Sequence, residues 1–439
     1  MMISLKETTA TIFLFLMLAV NAAARPTLSL DGTWRFHFSP CESDADRQLV
    51  DSPAEYKQSI QVPGSWDAQG IGEATSKMRH NAVGIGWYRK TFSIPADWRG
   101  KQIWLVIGGV HRNAKVWVNG HFIGEHVGYP VGFKFNITEH LVRGEQSVVI
   151  AVDSRHDWSR DPLIGTFDVI DFMDLDWGGI QEHVRLEATG QNWMEDVFVD
   201  PDPLQKQARV ELLLAKAPGN ARLDCRVTQR GKTPLATSQV TLNSSQTNLL
   251  INLADAPLWT PEKPNLLQLH LALTQNGQLL DEREITFGLR RLEIKDGRFV
   301  LNGSPFYLRG YGDDFNFPRE LLPPASKSFW KNYLQKRKDF GFNAVRHHSM
   351  MPTESYLEAA DEVGILVQPE LPLAYAEYLN RASRASYAVY KEVWRDYIRQ
   401  MRNHPSVLSW CMGNELWGGV PFGPDLYATA KKLDPTRPV

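Results

Sequence analysis

The hydrophobic pattern of this 439-residue chain changes period once, near Arg290, and that change limits the possible folds more than any other feature. Before it, apolar and polar residues alternate over short runs such as Trp34-Arg35-Phe36-His37-Phe38, Ile103-Trp104-Leu105-Val106-Ile107 and Lys115-Val116-Trp117-Val118. Period two is the pattern of a half-buried strand. Gly, Pro and Asn interrupt the runs, and Asn119-Gly120 is a hairpin signal because both residues tolerate positive φ. Many short strands joined in this way predict β-sandwiches. After Phe287-Gly288-Leu289-Arg290, short apolar runs alternate with segments of helical period, which predicts βαβ units on a parallel sheet.

Four segments follow from this reading. Residues 1–24 combine Lys6, an apolar core from Ile12 to Val20 and small residues at Ala22-Ala23-Ala24, the pattern of a signal peptide. That core is too short for a membrane span, which takes about 20 apolar residues. The expected destination is therefore periplasmic or extracellular. Residues 25–190 form the first sandwich. Residues 191–290, with strands at 209–214, 223–228 and 267–274, fit an immunoglobulin-like sandwich that serves as a spacer. In 291–439, strands are predicted at 306–312, 343–347, 365–370 and 407–412, and helices at 327–340, 354–363, 387–402 and 426–432. Four such units make half of a closed (β/α)8 barrel, so the chain reads as stopping within one.

Composition removes several classes of function. A net charge of -2 leaves no electrostatic footprint for nucleic acid or an anionic membrane. Cys41, Cys225 and Cys411 lie in different segments and form no disulfide framework, and Cys411 reads as a small buried thiol. No cluster has metal-ligand spacing, and no cofactor is expected. Fourteen Trp residues serve mainly for packing, although an exposed Trp suits the face of a sugar ring.

The chemistry concentrates at 402–415. His404-Pro405 leads into the dry run Val407 to Met412, and Gly413 is followed at once by Asn414 and Glu415. An apolar strand with an ionisable C-terminal tip is how a parallel barrel presents catalytic groups. On its own, such a Glu could equally cap the next helix or pair with a surface Arg. The whole run, however, resembles the acid/base pattern of glycoside hydrolase family 2, N-H-P-S-V-x-x-W-x-x-x-N-E. Further matches to that family are Leu30-Asp31-Gly32-Thr33-Trp34, Val62-Pro63-Gly64-Ser65-Trp66, Gly86-Trp87-Tyr88-Arg89, Val116-Trp117-Val118-Asn119-Gly120, Gly178-Gly179-Ile180 and Leu258-Trp259-Thr260-Pro261.

The resemblance implies a jelly-roll sugar-binding-like sandwich, an immunoglobulin-like sandwich and a TIM barrel, in that order. It also implies a retaining exo-glycosidase acting on oligo- or polysaccharide-derived substrates. Such enzymes use two carboxyl groups about 5 Å apart, one a nucleophile and one an acid that later acts as base. Glu415 is the implied acid/base, kept protonated by burial or a neighbouring carboxylate. Asn414 would hydrogen-bond the sugar 2-hydroxyl, and Arg346 would support a nucleophile Glu lying beyond residue 439. Trp410, in the same run, joins the expected substrate-binding set.

Three places leave alternatives open. The family's Arg, two residues, His, one residue, Pro becomes Arg346-His347-His348-Ser349-Met350-Met351-Pro352, so His348 is either a sugar contact or a hydrogen-bonded core His. The usual Arg-Gly-x-Asn followed by His becomes Arg309-Gly310-Tyr311-Gly312-Asp313-Asp314. The two carboxylates there either reshape the glycone pocket or, at Asp313, cap the next turn. Glu370 either lines the site or plays a supporting structural part. A catalytically silent carbohydrate-binding relative is the other functional class, and homo-oligomerisation is left open.

Overall fold

The computed structural model describes residues 25–439 except 42–47, 75–79, 130, 158, 164–176, 230–232, 315–316, 318–323, 375–386 and 417–419. Residues 1–24, expected to be a signal peptide, lie outside the described residues. The predicted change of period is a change of architecture. The first sandwich pairs a four-stranded sheet with a six-stranded one, all antiparallel. The six-stranded sheet runs, in spatial order, His121–His126, Asn113–Val118, Glu145–Asp153, Ile85–Ser93, Gly32–Ser39 and Gln58–Val62. Its inward residues, among them Trp34, Phe36, Tyr88, Val116 and Ile150, meet Leu105 and Leu186 of the other sheet in one core. The second sandwich packs Met194–Asp202, Gln207–Leu214 and Gln246–Asn252 against a four-stranded sheet centred on Ala221–Thr228 and Leu267–Gln275. Its apolar core includes Val210, Leu223 and Leu269.

A small antiparallel sheet, Leu292–Lys295, Arg298–Leu301 and Ser304–Pro305, comes first, and from Gly310 the sheet is parallel. Strands β1 (Gly310–Asp313), β2 (Ala344–His347) and β3 (Leu366–Gln368) pair in order. The segment 407–414 occupies the fourth position through parallel bridges at Val407, Cys411 and Asn414. Helices α1 (Lys327–Asp339), α2 (Glu354–Val363), α3 (Tyr387–Met401) and α4 (Gly423–Leu433) cover the outer face. Ser326 caps α1 by accepting from the Phe329 amide at 3.3 Å. Gly364 ends α2 at φ +82°, where a Cβ would lie 2.3 Å from the Pro261 carbonyl.

The barrel segment is fixed to both sandwiches. Tyr129, Val131 and Leu163 of the first sandwich belong to the same apolar cluster as Val393 and Trp394 of α3, and Tyr390 donates to the Pro162 carbonyl. From the second sandwich, Trp259 reaches across to donate to the Asp361 carbonyl at 3.1 Å. Arg290 donates to the carbonyls of Pro405 and Val407. Arg25 joins the two sandwiches through Asp281, at 2.7 and 2.8 Å.

Candidate active site

The C-terminal ends of the four parallel strands bring together residues from four stretches of sequence. In the register of β1 and β2, Gly312 lies beside Arg346 and Asp313 beside His347. Neighbours in a parallel sheet face the same way, so Gly312 and Arg346 share the inner face. A Cβ on Gly312 would meet nothing within 4 Å, which leaves open space next to the guanidinium.

Arg346 organises the tips. Its Nε donates to Glu370 Oε2 at 2.9 Å and its Nη2 donates to Asn414 Oδ1 at 2.7 Å. Glu370 is fully buried. Its other oxygen accepts from the Ser349 amide at 2.8 Å, and the Cys411 thiol donates to Oε2 at 3.2 Å. A buried carboxylate holding a guanidinium and a backbone N–H fixes orientation as well as charge. Arg346, expected to support a nucleophile, has Glu370 and Asn414 as its partners. The buried contacts of Glu370 are those of its supporting alternative. Cys411, half-buried rather than fully enclosed, has its thiol pushed up to about 12 by burial and by the adjacent Glu370 carboxylate.

Asn414 is buried, and Arg346 defines the rotation of its amide, because a guanidinium has only donors to offer the oxygen. Nδ2 is then a donor turned the other way, with no hydrogen-bond partner among the described residues. Gly413 makes this geometry possible. It adopts φ +150°, and a Cβ there would sit 2.4 Å from the Leu373 carbonyl. Glu415 follows with φ +48°, a left-handed conformation that costs a non-glycine residue about 1–3 kcal/mol. Its side chain is exposed, so the burial expected to keep this acid protonated is not supplied by the described residues.

Two expected site residues are placed elsewhere. Trp410 is buried in the helix-facing layer, where its Nε1 donates to Asp434 Oδ2 at 2.9 Å and its ring meets Trp394 and Tyr397 edge-on. It is a packing residue and not a sugar platform, because its position in the run 407–414 faces outward. Asp313 likewise faces the helices and accepts from the Tyr333 hydroxyl of α1 at 2.7 Å, so it neither lines the inner pocket nor simply caps a turn. Asp314 stays exposed at the tip of β1. His348 is half-buried, its amide donating to the Asp313 carbonyl at 3.1 Å. The fully enclosed histidine is its neighbour His347, held neutral by burial and packed edge-on against Tyr356.

The N-H-P-S-V part of the motif has a role that the sequence did not reveal. Asn403 donates to the Val197 carbonyl and accepts from the Val199 amide, both at 2.9 Å, and Arg402 donates to Asp196 at 2.6 Å. His404 and the Ser406 amide both bind Asp361. Arg402 and Asn403 thus clamp the second sandwich to the barrel, whereas His404 and Ser406 tie the fourth segment to helix α2. Only the last two residues of the motif, Asn414 and Glu415, reach the strand tips.

Two antiparallel sandwiches thus lead into a parallel strand–helix sheet with an Arg-oriented Asn and a Glu at its tips. Family models match along the length of the chain. They are "Glycosyl hydrolases family 2, sugar binding domain" over 27–189, "Glycosyl hydrolases family 2" over 193–290 and "Glycosyl hydrolases family 2, TIM barrel domain" over 292–439. The chain belongs to glycosyl hydrolases family 2. It is 28% identical to a beta-glucuronidase of Paenibacillus borealis over 95% of this chain and 73% of that protein. It is 29% identical to a beta-galactosidase of Thermoanaerobacter pseudethanolicus over 81% of this chain and 48% of that one. A crystal structure of a family 2 member from Bacteroides cellulosilyticus superposes with a TM-score of 0.77 at 25% identity, covering 94% of this chain and 56% of that one. The chain spans between 40% and 73% of the length of such curated relatives.

Proposed function

We propose that this chain carries the acid/base side of a retaining exo-glycosidase, exported from the cell, that releases sugar residues from oligo- or polysaccharide-derived substrates. The observation that carries the reading is the paired geometry of Asn414 and Glu415. Arg346 occupies the Asn414 oxygen, so a buried N–H donor is left for a sugar hydroxyl, and the next residue is a carboxyl held exposed in a left-handed conformation. Glu415 protonates the leaving oxygen in the first step and deprotonates water in the second. A nucleophilic carboxylate from further sequence of the protein, about 5 Å away, forms the glycosyl intermediate. The Asn414 N–H binds the substrate's 2-hydroxyl, a contact that strengthens as positive charge develops on the ring. Relatives named beta-glucuronidase and beta-galactosidase support a β-linked hexoside or hexuronide as substrate.

The test uses the full-length protein and aryl glycosides whose leaving groups differ in acidity. Glu415→Gln should lower kcat/KM by roughly 10²–10⁴-fold for poor leaving groups. The loss should be much smaller for nitrophenol, which departs without protonation. Equal losses across the series would remove Glu415 from this role.

A further inference from the structure

Cys411 has no part in the chemistry proposed above, yet it stands beside the carboxylate that holds the site together. A parallel bridge pairs it with Glu370. The Cys411 amide donates to the Pro369 carbonyl at 3.1 Å, and the Leu371 amide donates to the Cys411 carbonyl at 2.9 Å. Neighbours in a parallel sheet point to the same side, so thiol and carboxylate lie next to each other. The sulfur is 3.2 Å from Glu370 Oε2 and 3.5 Å from the Gly413 carbonyl oxygen. The carboxylate is both the nearer acceptor and the charged one. Burial and that same carboxylate push the thiol up to about 12, so at neutral pH it stays an S–H donor.

Glu370 depends on its donors, because it has a mobile group to aim. The Arg346 side chain is 44% exposed, so packing alone does not hold it. Its Nε and Nη2 lie 2.9 and 2.8 Å from Glu370 Oε2, and Nη2 also donates to Asn414 Oδ1. On the other oxygen, Oε1, the donor is the Ser349 amide, presented by a backbone at φ +48°. Apart from the guanidinium itself, the donor to Oε2 among the described residues is the Cys411 thiol. The thiol thereby fixes the rotation of the carboxylate, the carboxylate fixes Arg346, and Arg346 fixes Asn414.

We propose that Cys411 is a positioning residue whose S–H, acting through Glu370 and Arg346, keeps the Asn414 N–H directed at the substrate's 2-hydroxyl. The inference rests on the glycosidase reading above and extends it to a residue that acts through two others.

Steady-state kinetics of the full-length protein on a nitrophenyl glycoside and its 2-deoxy counterpart, with infrared spectra of the S–H stretch, test this. On the 2-hydroxy substrate Cys411→Ala should lower kcat roughly 3- to 10-fold, the worth of one hydrogen bond, with the thermal midpoint kept. On the 2-deoxy substrate the loss should stay under about twofold, because the bond that Asn414 would strengthen is missing there. Cys411→Ser keeps a donor and should recover most of the rate. In the difference spectrum of parent and Cys411→Ala, the S–H band should lie at the lowered frequency of a thiol bonded to an anion. Glu370→Gln should move that band towards the frequency of a free thiol. Equal losses on both substrates, no loss on either, or a serine variant as slow as the alanine one would overturn the proposal. A band at the free-thiol frequency in the parent would overturn it whatever the turnover. A parent protein that hydrolyses no glycoside would overturn the glycosidase reading and the positioning role together, while a lowered band would still assign the thiol to Glu370.

Discussion

Arg346 and Asn414 lie 68 residues apart in sequence, and their 2.7 Å hydrogen bond decides which end of the Asn414 amide faces outward from the guanidinium. Glu370 holds the same guanidinium, its Oε2 lying 2.9 Å from Nε and 2.8 Å from Nη2. Glu370→Gln would put an amide NH2 against donors in either rotation, the Ser349 amide on one side or Arg346 and Cys411 on the other. Hydrogen bonds to charged groups contribute about 1.5–3 kcal/mol, so the variant should lose stability of that order. It should also lose kcat/KM, because Asn414 is no longer oriented. Calorimetry with steady-state kinetics checks both, and unchanged kinetics would separate Glu370 from the site.

Asn403 belongs to the most recognisable motif of the chain, but among the described residues its side chain bonds only to the second sandwich. Asn403→Ala removes two hydrogen bonds worth about 0.5–1.5 kcal/mol each and leaves the Val199 amide and Val197 carbonyl without them. The thermal midpoint should fall, and hydrogen exchange should quicken at 197–199. The kcat of the folded protein should stay near the parent value. A kcat loss without a stability loss would place Asn403 in the chemistry instead.

Asp67 gives a pH signature inside the first sandwich. Burial raises its carboxyl to about 6, against the hydrogen bonds it accepts from the Gly178 and Ala82 amides. The folded chain thus binds a proton between about pH 4 and 6 that the unfolded chain has released, so stability drops as pH rises through this window. From pH 4 to 7 the parent should lose roughly 2–3 kcal/mol relative to Asp67→Asn. Paired denaturation curves at both pH values measure it, and a difference that does not change with pH would contradict it.

Asp313 faces the helices, so Asp313→Asn should weaken the Tyr333 bond and cost about 1 kcal/mol while the ranking of glycones is kept. A reordered preference across an aryl glycoside panel would return Asp313 to the pocket.

Helix α2 was legible to the residue at 354–363, because Gly364 can take the left-handed C-terminal position and Ala359, Ala360 and Val363 are spaced to face the core. The fourth strand was less so. A continuous strand at 407–412 was expected, whereas only Val407, Cys411 and Asn414 make bridges. The Val407 carbonyl is taken by the guanidinium groups of Arg290 and Arg437, and no periodicity reveals such distant donors. The first strand begins at Gly310, not 306, because the Phe306 amide bonds back to the Phe299 carbonyl of the preceding hairpin. At the site, Asn414 and Glu415 were readable from the motif. The direction of Asp313 was not, since it depends on which of Gly312 and Asp313 falls beside Arg346.

The most direct measurement follows turnover of a nitrophenyl glycoside by the full-length Glu415→Gln protein with and without azide. With the base removed, breakdown of the glycosyl intermediate should become limiting, and azide needs no deprotonation to attack it. Turnover should recover with azide, and the product should be a glycosyl azide with the substrate's anomeric configuration. No recovery, or an azide of inverted configuration, would contradict Glu415 as the acid/base of a retaining enzyme.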